Sequence, residues 1–131
     1  MADVFSGEQK LSFGDTPYDI HFWANSIGTD IICTLTGGTH PHVGAVALAE
    51  PTEAVHPITG EVVRRKSVSI SVIAGEGHKD AVIAEMFAKG LCEKYGVNVC
   101  ATAGVHVDGA GPEEIKLLVN NAESLLALAK Q

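Results

Sequence analysis

The sequence predicts an α+β fold: an antiparallel β-meander followed by helix, strand and helix, with both helices packed on one face of the sheet. Three observations carry this expectation. Apolar residues alternate with a period of two through the first half of the chain. From Asp80 onward they recur at helical spacing. Glycine and proline bound the short runs rich in β-branched residues.

In chain order, residues 10–13 read as an opening strand. Residues 18–25 carry Tyr18, Phe22 and Trp23 and end in a turn, Asn25-Ser26-Ile27-Gly28-Thr29-Asp30. Residues 30–36 set Ile31, Cys33 and Leu35 against Ile32, Thr34 and Thr36, and residues 43–49 set Val46 and Leu48 against three alanines. A polar connection with Pro51 and Pro57 follows. Residues 62–73 then alternate Val68, Ile70 and Val72 with Ser67, Ser69 and Ser71, as in a strand with one face on the core. Ile83, Met86, Phe87, Gly90 and Leu91 form one helical stripe that stops at Gly96. Residues 97–103 return as a strand, joined to residues 67–73 by a right-handed parallel crossover. Pro112, Glu113 and Glu114 then suit a helix start, and Ile115, Leu118, Ala122, Leu125 and Ala129 line its core face.

Bulk properties narrow the function. A chain of 131 residues supports one hydrophobic core, so residues 1–131 are read as one domain. The net charge of -7 disfavours nucleic acid, whose phosphates demand many Lys or Arg. Cys33, Cys92 and Cys100 form no Cys-x-x-Cys pair and read as buried free thiols, which fits a reducing cytoplasm. The N-terminus lacks the basic start and apolar stretch of a signal peptide, and no apolar segment is long enough to span a bilayer. The expectation is a cytoplasmic protein without a membrane partner.

Four of the six histidines lie in three glycine-bearing loops. These are Gly37-Gly38-Thr39-His40-Pro41-His42-Val43-Gly44, Gly75-Glu76-Gly77-His78-Lys79-Asp80, and Gly104-Val105-His106-Val107-Asp108-Gly109-Ala110-Gly111. Counting strand reversals puts all three at one end. Gly37, Gly38, Gly44, Gly77 and Gly109 would let a ligand approach the main chain, and Thr39, His40, His42, His78 and His106 would supply donors. Helix starts near Asp80 and Pro112 add unpaired N–H groups suited to phosphate. The pattern points to a site for a phosphorylated ligand.

The neighbouring residues have plainer readings. Asp80 is placed to cap the first helix and Asp108 to form a turn. His21 and His56 are assigned to the other end of the fold or its bottom loop. Arg64-Arg65-Lys66 reads as a solvated strand edge. A second class of function is a metal-dependent enzyme built on His40, His42 and His106, with the metal unknown, although zinc normally takes at least three protein ligands. A third is a protein-assembly chaperone with no small ligand. Gly-x-Ser-x-Gly and Walker signatures are absent.

The stretch Gly-Gly-Thr-His-Pro-His-Val-Gly-Ala-Val, with Gly-Glu-Gly-His-Lys-Asp and Gly-Val-His-Val-Asp-Gly-Ala-Gly, resembles the small D subunit associated with gallate and hydroxybenzoate decarboxylases. That family is described as a prenylated-flavin chaperone. The resemblance covers the whole chain and implies a fold like that of small proteasome-assembly chaperones and a homodimer. It further implies an accessory protein, with no catalytic residue assigned, that holds prenylated flavin mononucleotide and assists its maturation or delivery to a UbiD-type decarboxylase.

Overall fold

The computed structural model describes Phe5, residues 7–75 and residues 78–131, with the side chains of these residues except at positions 54 and 63–66. The described residues form β1 (Glu8–Phe13), β2 (Ile20–Ile27), β3 (Asp30–Gly38), β4 (Ala45–Val55), β5 (Val62–Ala74), α1 (His78–Tyr95), β6 (Val99–His106) and α2 (Pro112–Ala129). One six-stranded sheet runs β1-β2-β3-β6-β4-β5. The β3–β6 ladder is parallel and the other ladders are antiparallel. The predicted crossover exists as a shared direction: β5 and β6 both run antiparallel to β4, which lies between them.

Both helices lie on one face. α1 packs on β4, β5 and β6, α2 on β1 and β2, and the helices touch each other. The core between the layers holds Ile20, Phe22, Leu35, Ile83, Phe87, Leu91, Val99, Leu118 and Leu125, all fully buried, and Phe22 stacks on Phe87 at 5.6 Å between centroids. On β4 the core face is the small one, Ala45, Ala47 and Ala49, and short side chains let α1 approach the sheet closely. Val46 and Leu48 consequently point to the opposite, uncovered face.

Two boundaries differ from expectation. β4 continues through Pro51 into the segment read as a connection. Its pairing with β6 ends at Ala49, so Pro51 sits where β4 has a partner on β5 alone and a missing N–H is tolerated. α1 begins at His78, two residues ahead of Asp80, and closes at Gly96, whose N–H donates to the Cys92 carbonyl at φ +67. Cys33 and Cys92 are buried free thiols, while Cys100 is only partly covered. Among the described residues no helix is long and apolar enough to cross a membrane. The side chains of Arg64, Arg65 and Lys66 lie outside those described.

Candidate functional site

The parallel pairing of β3 with β6 sets Gly38 opposite His106 and brings the loop after β3 against the loop after β6. The main chain ties them together. The Thr39 and His40 N–H groups both donate to the His106 carbonyl, at 2.7 and 3.2 Å, and the His42 N–H donates to the Gly104 carbonyl at 3.3 Å. The Thr39 hydroxyl adds a bond to the same His106 carbonyl (3.3 Å) and accepts the Asp108 N–H (3.2 Å).

The side chains converge in turn. Asp108 accepts from His40 Nε2 at 2.9 Å through one carboxylate oxygen and from His106 Nε2 at 3.2 Å through the other. The His40 and His106 rings lie 5.9 Å apart, and the His42 ring stands edge-on to His106 at 6.4 Å. His42 Nδ1–H donates to the His40 carbonyl (3.0 Å), and its Nε2 lies 3.2 Å from Asp80 Oδ2. Three imidazoles and two carboxylates thus share one rim. The hydrogen bond from His40, and then that from His106, holds the Asp108 carboxyl below the usual carboxylate range.

Asp80 anchors the cluster from beneath. Its side chain is buried, accepts the Val105 N–H at 3.0 Å, and lies 3.9 Å from Lys79 Nζ. β6 runs on past Ala103, where its β4 ladder ends, and the Asp80 carboxylate takes up the Val105 N–H. Asp80 therefore serves the third loop as well as the first turn of α1, a role that its reading as a helix cap missed. Close approach explains two glycines. A Cβ on Gly44 would strike the Asp80 carboxylate, and one on Gly104 would strike the His42 carbonyl.

The structure brings together Gly37, Gly38, Thr39, His40, His42, Gly44 and His106, with Gly109 in the adjoining turn. Gly77 lies outside the described residues. His78 opens α1, exposed, and takes no part in the contacts linking the other three imidazoles among the described residues. The α2 N-terminus is a poorer phosphate seat than its sequence suggested. Gly111 provides no side-chain cap, Glu113 and Glu114 occupy the first turn, and the Glu114 carboxylate lies beside Gly111.

His21 requires a correction. It pairs with Thr36 near the top of β3, at the same end as the histidine loops, and bonds Asp19 at 2.7 Å. The reversal count that placed the loops also places the start of β2 among them. His56 lies in the opposite hairpin, where its Nδ1 accepts the Ile58 and Thr59 N–H groups. Among the described residues no three His, Cys, Asp or Glu side chains group as a metal site, so the geometry lends the metal reading no support.

The family model for the prenylated flavin chaperone LpdD-like domain matches residues 14–131. The chain belongs to this family. One LpdD-like relative, Protein LpdD of Lactiplantibacillus plantarum (strain ATCC BAA-793 / NCIMB 8826 / WCFS1), is 36% identical over 83 residues, which is 63% of this chain and 53% of that protein. This LpdD-like chain therefore aligns with about half the length of that relative. A chain from the crystal structure of a chaperone complex for yeast 20S proteasome assembly superposes with a TM-score of 0.61 over 93% of this chain and 90% of its own length. At 12% identity that likeness shows a shared fold.

Proposed function

We propose that residues 1–131 act as one cytoplasmic LpdD-like unit that binds prenylated FMN and assists its maturation or delivery to a UbiD-type decarboxylase. The observation that carries this reading is the clustering of His40, His42 and His106 on one rim in a member of a prenylated flavin chaperone family. His40 and His106 both present Nε2 to Asp108, so in their imidazolium forms each offers Nδ1–H to an incoming phosphate. Asp108 fixes the ring directions through those two bonds. The protein's part is binding and shelter, and no residue is assigned a covalent step.

The protein works as a homodimer in this proposal. Leu48 and Ile73 stand 41% and 78% exposed on the sheet face that no helix covers, where a second copy would shield them.

The test is anaerobic titration with reduced prenylated FMN, followed by gel filtration with flavin absorbance and native mass. Wild type retains one flavin per chain, and His40→Ala and His42→Ala each lose about tenfold in affinity while keeping the wild-type melting temperature within about 2 °C. Equal retention by both variants would overturn the site. A monomeric native mass at all concentrations would overturn the dimer.

A further inference from the structure

The helices cover one face of the sheet, and the histidine rim opens onto the other. Along β6, Val99, Ala101, Ala103 and Val105 are buried against the helices, so Cys100, Thr102, Gly104 and His106 face the bare side. Register carries that side outward. Gly104 neighbours Thr36, which neighbours His21 and then Ser12; one row below, Thr102 neighbours Thr34, then Trp23, then Lys10. These β1–β3 residues line a shallow groove of about 450 Å³.

The groove adjoins the histidine loops. Thr36 lies two residues before Gly38, the partner of His106, which is about 7 Å along a strand. Thr34 lies about 13 Å from the same point, and adjacent strands add about 5 Å each. The loop carrying His40 and His42 is folded over this same face, because the missing Cβ of Gly104 points at the His42 carbonyl. The groove reaches Thr36 at the end nearer the loops and Trp23 farther down. The span suits a phosphate joined by a short polyol arm to a fused ring.

We infer that this groove is the seat of the planar ring system of the phosphate-bearing ligand gripped by the histidine loops. The inference rests on the flavin reading and deepens it. Trp23 provides the aromatic wall for the ring, and the Thr34 and Thr36 hydroxyls face its heteroatoms. Lys10, 3.7 Å from Glu8, places a cationic group at the outer rim, where it favours an electron-rich ring, and His21, bonded to Asp19, adds an imidazole edge there. A second groove, of about 520 Å³, lies between Phe13, Tyr18, Leu117 and Asn121, against α2. Its charged lining residue is Asp15, which disfavours an anionic ligand, and it sits against the helix layer and not on the bare face.

The test uses nitrogen-15 labelled full-length protein with two probes, inorganic phosphate and reduced prenylated FMN held anaerobically. Phosphate is expected to move the amide signals of Thr39, His40, His42 and residues 104–106 alone. The flavin is expected to move these and also the amides of Thr34 and Thr36 and the indole N–H of Trp23, the chain's single tryptophan. Trp23→Ala, which removes the stacking surface, and Thr34→Arg, which fills the groove, should each weaken flavin binding about tenfold and leave phosphate binding within about twofold. Thr34→Arg keeps the test decisive if Trp23→Ala fails to fold. Flavin shifts confined to the loops, or appearing around Asp15 and Asn121, would overturn the ring seat while the flavin reading stands. Absence of any flavin-induced shift would overturn both.

Discussion

Replacing Asp80 by alanine removes a side chain that holds the third loop, the first loop and the start of α1 at once. The buried Val105 N–H loses its acceptor, now 3.0 Å away, which costs about 1–3 kcal/mol. The half-exposed His42 loses a charge partner at 3.2 Å, worth at most about 1 kcal/mol. The first turn of α1 loses its acidic residue, a further ~0.3–1 kcal/mol. Together these come to roughly 1–5 kcal/mol, and at about 4 °C per kcal/mol for a domain of this size the melting temperature should fall by ~4–20 °C. Asp80→Asn keeps an oxygen for the Val105 N–H and loses the charge, so it should cost about half as much. The assay is thermal unfolding followed by circular dichroism, paired with hydrogen exchange at the Val105 amide, which should accelerate strongly in Asp80→Ala and weakly in Asp80→Asn. An Asp80→Ala protein that melts within about 2 °C of wild type would refute the reasoning.

Two further outcomes follow from the same geometry. A carboxyl held below its ordinary pKa contributes stability above its unfolded value and loses it as pH falls through the lowered folded value. The Asp108 clasp on His40 and His106 should therefore persist through mildly acidic solution and open only below the ordinary carboxylate range, and Asp108→Asn should remove this transition from the imidazole resonances. Gly104→Ala sets a methyl against the His42 carbonyl, main chain that has little room to yield, and should cost about 1–3 kcal/mol in urea unfolding while displacing the His42 signals. Unchanged His42 resonances would count against the draped loop.

Much of this arrangement was legible in the sequence. The alternation around Ile31, Cys33 and Leu35 and the stripe of Ile83, Phe87 and Leu91 each gave the right element, because both patterns report directly on which side chains the core removes from water. The clustering of His40, His42 and His106 followed from the direction of successive strands. What escaped was set by contacts distant in sequence. That β6 inserts between β3 and β4, and that β4 buries its alanines beneath α1, depends on how layers fit and not on local hydropathy. Pro51 resembled a loop residue because nothing nearby says that β4 has lost one neighbour there. Asp80 looked like an ordinary helix-start acid, since its real partner, Val105, lies 25 residues onward. His21 stands at the loop end because β2 begins where its antiparallel partner β3 finishes.

The bonds joining Thr39 and His40 to His106 and Asp108 span 66 to 69 positions of sequence. A nascent polypeptide that has not yet released its last strand from the ribosome has only half of the rim. Under the proposed reading, cofactor capture would wait until β6 has emerged, and cargo bound there would fasten early and late parts of the chain together. Loading should raise the unfolding temperature of the entire molecule by mass action, not just quiet the loops it touches.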